Sequence, residues 1–250
     1  MDKYGLIGHP LGHSFSKKFF NEEFFPQHNI NARYINFDIP HAGMLLDIVR
    51  DNPDLKGLNC TIPYKQDIIS LLDELSPQAK RIGAVNVIKI QHHNNPQKPF
   101  TLTGFNSDII GFTQSLRPLL KPHHTKALIL GTGGASKAIC EALKDLNIDY
   151  VYVSRSARKG VLDYAHLTPE IIQSHPLIIN CTPVGMFPHI DCAPELPYQA
   201  IDERHLLYDL IYNPEETLFM RLGRERGATV KNGMEMLRLQ ALASWDFWHS

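Results

Sequence analysis

The stretch Ala127-Leu128-Ile129-Leu130-Gly131-Thr132-Gly133-Gly134-Ala135-Ser136 constrains the fold of this chain more than any other. Four consecutive apolar residues read as a strand buried on both faces, the pattern of a parallel sheet covered by helices. The glycine-rich turn leads into a helix expected over 137–145, and Tyr150-Val151-Tyr152-Val153 is the next strand. This is a βαβ unit with glycines in its first turn. Gly131 permits the tight turn. Gly133 lets the backbone approach a pyrophosphate, whose charge then sits on the N-terminus of the helix. Ser136 stands where the usual fingerprint has its third glycine. A lone glycine pattern is weak evidence, but flanked by strand, helix and strand it predicts dinucleotide binding.

The second strand of that unit ends in Ser154-Arg155-Ser156-Ala157-Arg158-Lys159. An NAD site would place an acid here to bind the ribose 2′-hydroxyl. This segment has no acid and three cations, which suits the 2′-phosphate of NADP. The bland alternative is a solvated basic loop. Leu177-Ile178-Ile179-Asn180-Cys181-Thr182-Pro183-Val184-Gly185-Met186 reads as another buried strand ending in a polar, turn-rich loop, and Leu206-Leu207-Tyr208-Asp209-Leu210-Ile211-Tyr212-Asn213-Pro214 repeats the plan. A helix is expected over 217–226, closed by Gly227, then a short strand over 228–230. Asn232-Gly233 turns into a closing helix. Met234, Leu237, Ala241, Trp245 and Trp248 recur there at spacings of three and four, a core-facing stripe. Gln240 lies at its edge, where a plain surface glutamine is equally at home.

The first hundred residues alternate strand and helix, hence an α/β domain with a largely parallel sheet. Strands are expected at 4–8, 32–37, 58–62 and 83–88, with a return strand at 101–104 after a polar hairpin tip at 91–99. Helices are expected at 17–25, 44–52 and 66–75, the last ended by Ser76-Pro77. Ser14 and Ser16, in the loop Gly8-His9-Pro10-Leu11-Gly12-His13-Ser14-Phe15-Ser16, either project together or cap the first helix. In Gly57-Leu58-Asn59-Cys60-Thr61-Ile62-Pro63-Tyr64-Lys65, Asn59 and Thr61 share one face of the strand, and Cys60 points into the core. Pro63 stops the ladder and Lys65 follows. Such a stretch reads either as the floor of a small-molecule site or as an edge strand ending in a solvated lysine. Asn86 is the single amide of its strand. Asp108 lies near a helix start, where the positive helix end favours a carboxylate whatever its function.

With 250 residues, 43% of them hydrophobic, and a net charge of −1, the chain folds into one large domain or two ordinary ones. The near-neutral balance argues against a nucleic-acid grip built on a basic face. Four cysteines without CxxC spacing point to a reducing compartment. Thirteen histidines are scattered or in the doublets His92-His93 and His123-His124, without companions at metal-ligand spacing, so no metal is expected. The N-terminal Met1-Asp2-Lys3-Tyr4-Gly5 opens into a strand pattern without a signal-peptide apolar region. No apolar run approaches the ~18 residues of a membrane span. The expectation is a soluble, cytoplasmic protein without membrane or nucleic-acid partners.

Eight segments, in order, resemble the shikimate dehydrogenases over nearly the whole chain. They are the Gly8–Ser16 loop; 59–65; Gly83-Ala84-Val85-Asn86; Asn106-Ser107-Asp108 with Gly111-Phe112; 131–136; Asn180-Cys181-Thr182-Pro183-Val184-Gly185-Met186; Asp209-Leu210-Ile211-Tyr212-Asn213-Pro214; and Asn232-Gly233-Met234-Glu235-Met236-Leu237 through Gln240. The resemblance implies NADPH-dependent reduction of 3-dehydroshikimate to shikimate, a step of chorismate and aromatic amino acid biosynthesis. It implies a substrate domain of residues 1–104 and 231–250, and a Rossmann-type NADP domain of residues 105–230. On the matching positions, Lys65 and Asp108 are the catalytic pair and Ser14 and Ser16 hold the substrate carboxylate. Thr61, Lys65, Asn86, Asp108 and Gln240 face the ring hydroxyls, Tyr212 lines the cleft, and Asn59 either binds substrate or braces the site. The cofactor falls to Gly131, Thr132, Gly133, Gly134, Ala135 and Ser136, to Ser154, Arg155, Ser156, Arg158 and Lys159, and to Thr182, with Leu210 and Gly233 near the nicotinamide. Lys17, Val87, Ser107 and Pro183 depart from the family pattern, as does Ser154-Arg155-Ser156, which replaces Asn-Arg-Thr while retaining the arginine. The protein is expected to act as a monomer or homodimer on a small molecule. A quinate/shikimate dehydrogenase using both NAD and NADP, a non-catalytic shikimate-binding paralogue and a related dehydrogenase acting on another small acid are the rival readings.

Ketone reduction needs a hydride on one face and a proton for the developing alkoxide. A free lysine, with pKa ~10.4, is an ammonium at neutral pH. A nearby carboxylate favours that charged form. Lys65 is therefore expected to donate the proton, with Asp108 positioning it.

Overall fold

A computed structural model describes residues 1–12 and 14–250; His13, within the first of the matched motifs, lies outside the described residues. The chain forms two compact units, Met1–Ser107 with Ala241–Ser250, and Asp108–Gln240.

The first unit is built on strands β1 (Asp2–Gly8), β2 (Ala32–Asp38), β3 (Leu55–Cys60), β4 (Glu74–Leu75), β5 (Val87–His92) and β6 (Phe100–Phe105). They lie in the order β2-β1-β3-β5-β6-β4. β1 runs parallel to β2 and β3, and β4 parallel to β6, while β5 is antiparallel to both β3 and β6. The sheet is thus mainly parallel with a hairpin let into it. Alternation assigns its faces. Ile7, Leu58 and Cys60 pack with Leu45 and Val49 of the helix Leu45–Asp51. Tyr4 and Leu6 pack on the other side with Phe20, Phe24, Tyr34 and Trp248. Gly57 is on that aromatic side because nothing larger fits: a Cβ there would stand 2.2 Å from Trp248 Cδ1. The first helix runs through Phe15–Lys18, a π-helical stretch Phe19–Phe24, and Phe25–Gln27, longer at both ends than expected.

Three expectations for this unit need correction. The third strand spans Leu55–Cys60, so Thr61 sits just past its end rather than within it. The helix expected at 66–75 is a 3₁₀ segment, Asp67–Leu71, after which Leu72 turns extended and Glu74–Leu75 joins the sheet edge. Ser76-Pro77 starts a helix instead of ending one: Ser76 Oγ accepts from Ala79 N–H, Pro77 occupies the first turn where no N–H is needed, and the helix Pro77–Ile82 closes on Gly83 at φ +67. Gly83 is accordingly a helix cap, and Asn86 immediately precedes strand β5.

The second unit carries β7 (Lys126–Leu130), β8 (Asp149–Ser154), β9 (Val161–Asp163), β10 (Leu177–Asn180), β11 (Leu206–Asp209) and β12 (Thr229–Lys231), ordered β12-β11-β10-β7-β8-β9. Every pairing is parallel. Residues 127–130 are fully buried, as their continuous apolar run demands. From β7 the chain winds outward to β8 and β9, then returns to β10 on β7's other side. The sheet therefore reverses between β7 and β10, and the crevice at their carboxyl ends is where open α/β sheets bind ligands. The strand β9 and the helix Pro169–Ser174, begun by Thr168 as N-cap, have no counterpart in the expected elements. The last helix spans Met234–His249. Its buried residues include Met236, Ala241 and Trp248, whereas Met234, expected in the core stripe, is exposed. No helix among the described residues is long and apolar enough to cross a membrane.

Candidate functional site

In the second unit, the crevice at the sheet's reversal is a cleft of about 700 Å³. Its wall includes Gly131, Thr132 and Gly133 after β7, Ser154 at the end of β8 with Arg155 following it, and Thr182 after β10. These belong to the residues expected to hold the cofactor. Gly131 has φ +97, and a Cβ on it would stand 2.9 Å from Thr182 Cγ2, so turn and packing both require glycine. Gly133 caps the helix Gly134–Asp145 with ordinary extended angles. A Cβ on Gly133 or Gly134 would meet nothing within 4 Å. Neither glycine is needed for packing, and both leave open space over a twelve-residue helix N-terminus, whose free N–H groups and dipole favour an anion. Ser136 is buried and donates its hydroxyl to the Gly133 carbonyl at 2.7 Å, so the residue replacing the third glycine ties the turn down.

The remaining expected cofactor residues are not part of the cleft wall. Ala135 and Ser136 belong to the helix. Ser156, Arg158 and Lys159 are exposed beyond β8, where the Arg158 backbone pairs with Val161. Leu210 and Gly233 do come together: a Cβ on Gly233 would stand 2.1 Å from the Leu210 carbonyl oxygen, and Gly233 N–H donates to Ile211 O at 3.0 Å. The cleft also contains Tyr164, Cys181, Pro183, Val184, and Cys192 to Glu195. Of these, Cys181 to Val184 follow a buried strand end, a place that predicts a ligand. Tyr164 opens a short 3₁₀ helix, Tyr164–His166, after β9, and residues 192–195 come from an irregular segment that carries no pattern. Burial pushes the Cys181 thiol well above its ordinary range, with the Asp209 carboxylate adding to it, so this sulfur is a neutral wall and not a nucleophile.

Asp108 opens the helix Asp108–Leu116 and is only 4% exposed. Gly111, one turn on, lies against the last helix: a Cβ there would be 2.5 Å from Met236 O and 2.7 Å from Gln240 Cγ. Gln240 thus flanks the helix that Asp108 begins, at the half-buried position its place on the stripe suggested. Tyr212 is exposed in the turn after β11.

In the first unit the residues expected to face substrate lie around the carboxyl ends of β1, β2 and β3. Thr61 N–H donates to Ile7 O and His9 N–H to Ile62 O, binding the two exit loops together. Gly8 has room for no side chain, since its Cβ would stand 2.5 Å from Thr61 Cγ2. Asp38, ending β2, accepts from His9 Nδ1 at 2.7 Å and from Leu11 N–H at 3.1 Å. These bonds, the histidine's first, hold its carboxyl below the usual range. Ser14 N-caps the first helix, its Oγ accepting from Lys17 N–H at 3.2 Å, while the Ser16 side chain hydrogen-bonds the Tyr34 hydroxyl. The half-buried Lys65 is fixed through its backbone, whose carbonyl accepts from Val85 N–H at 2.7 Å. Asn86, buried next to it in sequence, accepts from Ser107 N–H at 2.7 Å and donates to Ser107 Oγ at 3.1 Å.

Asn59 faces inward to protein. Its Oδ1 accepts from the Tyr34 hydroxyl at 2.8 Å, and its Nδ2 donates to Ser244 Oγ at 2.9 Å and to Asn86 O at 3.2 Å. Those contacts favour the bracing alternative. Cys60 points the other way, into the aliphatic cluster with Ile7 and Leu58, as strand alternation requires. Among the described residues no group of three or more His, Cys, Asp and Glu side chains is arranged to hold a metal ion.

Residues 6–88 match the family model described as the shikimate dehydrogenase substrate binding domain. A shikimate dehydrogenase (NADP(+)) of Methanococcus maripaludis is 36% identical over 98% of this chain and 90% of its own length. One from Desulforamulus reducens is 33% identical over 98% and 88%. The crystal structure of shikimate 5-dehydrogenase from Thermus thermophilus, in complex with NADP(H) and shikimate, superimposes with a TM-score of 0.84 at 28% identity, covering 99% of this chain and 93% of that one. Identity above 30% along almost the whole length, with the two-unit fold intact, settles kinship: the chain belongs to the shikimate dehydrogenase family.

Proposed function

We propose that this protein reduces 3-dehydroshikimate to shikimate with NADPH as the hydride donor, as a cytoplasmic enzyme of aromatic biosynthesis acting as a monomer or homodimer. The observation that carries the reading is the second unit's cleft, where Gly133 and Gly134 leave space over a helix N-terminus and Arg155 stands in the wall. A pyrophosphate fits over the helix, and Arg155 supplies the fork that pairs with a 2′-phosphate. Bound there, the nicotinamide supplies the hydride.

The first unit, with the last helix, is the substrate side in this reading. Ser14 and Ser16 bind the substrate carboxylate through their hydroxyls. Thr61, Asn86 and Gln240 meet the ring hydroxyls, which their amides and hydroxyl can match as donors or acceptors. As the carbonyl carbon takes the hydride, Lys65 Nζ gives its proton to the carbonyl oxygen and is reprotonated from solvent. Asp108 orients that amine and accepts from a ring hydroxyl.

The test is loss of NADPH on adding 3-dehydroshikimate, with wild type beside Lys65→Met. Wild type turns over, and the variant loses turnover by orders of magnitude while keeping its thermal melting profile. Near-normal turnover in a folded Lys65→Met protein would remove Lys65 from the chemistry. Absent turnover in wild type would remove the reaction itself.

A further inference from the structure

The end of strand β10 and the connection that follows β11 converge on one buried carboxylate of the second unit that the proposed reaction does not use. Asp209 ends β11 with no exposed surface. Its Oδ2 accepts the Thr217 hydroxyl at 2.6 Å, and Thr217 is the N-cap of the helix Leu218–Arg224. Its Oδ1 accepts Ile211 N–H at 3.0 Å and Asn180 Nδ2 at 3.1 Å.

The bond to Asn180 sets a direction that runs on to the cleft. A carboxylate only accepts, so Asn180 must present its NH₂ to Asp209. Asn180 Oδ1 is then left to accept from Thr182, from the backbone N–H at 3.0 Å and the hydroxyl at 2.6 Å. With its proton so committed, Thr182 Oγ1 accepts Val184 N–H at 3.2 Å. Thr182 and Val184 are cleft wall, and the Thr182 methyl lies where a Cβ on Gly131 would collide. One buried acceptor thereby orients an amide, the amide orients a hydroxyl, and the hydroxyl shapes the loop facing the glycine turn.

We propose that Asp209 is a positioning residue for the dinucleotide: through Asn180 it holds the 181–184 loop in the form that accepts NADPH. The proposal rests on the reading of the cleft as the NADPH site. A cap-and-core role alone would lower stability without separating the two substrates. Positioning raises the KM for NADPH and leaves the KM for 3-dehydroshikimate in place.

The experiment is direct titration of NADPH by its fluorescence, with steady-state KM values for both substrates, in wild type, Asp209→Ala, Asp209→Asn and Asn180→Ala. Asp209→Ala and Asn180→Ala weaken NADPH at least tenfold, with the KM for 3-dehydroshikimate changed less than twofold. Asp209→Asn, which can still present an oxygen to Asn180 and Ile211, stays within about threefold of wild type. If Asp209→Ala fails to fold, Asn180→Ala reads the same link from its other end. Wild-type NADPH affinity in a folded Asp209→Ala or Asn180→Ala overturns the proposal, as does an equal rise in both KM values. Wild type that binds NADPH yet leaves 3-dehydroshikimate unreduced overturns the proposed reaction alone, because the titrations still report on Asp209. Wild type that does not bind NADPH overturns both.

Discussion

Asn59 Nδ2 donates to Ser244 Oγ at 2.9 Å, joining the end of strand β3 to the last helix across 185 residues of sequence. The same amide accepts from Tyr34, so one side chain ties a strand, its second neighbour in the sheet and the chain's closing segment. Asn59→Ala strands two buried hydroxyls, each partly compensated, Tyr34 by Ser16 and Ser244 by Ser107. Unmet buried polar groups cost about 1–3 kcal/mol each, so a loss near 2 kcal/mol is expected in urea unfolding. Asn59→Asp is expected to be worse at neutral pH than at pH 4, because a carboxylate there faces the Asn86 carbonyl instead of donating to it. A variant as stable as wild type would show that the bridge is idle.

Gly57 tests the aromatic face. A Cβ there overlaps three atoms of the Trp248 ring within 2.5 Å. The indole is buried against Tyr4 at a centroid distance of 4.7 Å and cannot retreat freely. Overpacking of this kind costs about 1–3 kcal/mol. Gly57→Ala should lower the melting temperature and change the near-ultraviolet signal of the tryptophans. The double variant Gly57→Ala with Trp248→Leu should recover part of the loss, and simple additivity would count against a direct clash.

The two glycines of the β7 turn separate folding from binding. Gly131→Ala forces a Cβ into a left-handed conformation at φ +97 and against Thr182. A strained backbone position costs about 1–3 kcal/mol, so stability should fall. Gly133→Ala has normal angles and open space, so stability should hold while NADPH affinity drops at least tenfold, because the methyl takes the space meant for the ligand. Thermal melts and NADPH titrations of both variants check this pairing. Unchanged affinity in Gly133→Ala would place the pyrophosphate elsewhere.

This contrast also explains what was legible in the sequence. The β7 turn could be read because glycine there answers to backbone geometry, which follows from local order along the chain. The central strands β7, β10 and β11 of the second sheet could be read because burial on both faces leaves apolar runs. Ser76-Pro77 was misread because serine followed by proline both stops a preceding helix and starts a new one, and only the Ala79 N–H bond decides between them. Glu74–Leu75 pairs with β6, a partner some thirty residues away that no local pattern announces. Tyr164 reaches the cleft from a 3₁₀ turn and residues 192–195 from an irregular loop, and the amide partner of Asp209 lies 29 residues away in sequence, where no local pattern announces it.

Asp209 carries the last prediction, in pH. Burial pushes its carboxyl up to about 6, against which the bonds from Thr217, Ile211 and Asn180 pull only partly. A carboxyl whose folded pKa exceeds its unfolded one binds its proton more tightly when folded. Its contribution is therefore fully present below the unfolded value near 3.8 and is lost as pH rises through about 6. At 1.36 kcal/mol per pH unit that window amounts to about 3 kcal/mol. Cys181 and Tyr198, which share its field, are both pushed upward and stay neutral throughout. Asp209→Asn has no proton to gain, while the other carboxylates titrate alike in both proteins. Wild type should accordingly gain stability relative to Asp209→Asn as pH falls from 7.5 to 4, by up to about 3 kcal/mol in urea unfolding at matched ionic strength. A constant difference across that range would mean that Asp209 ionises in the folded protein as readily as in the unfolded chain.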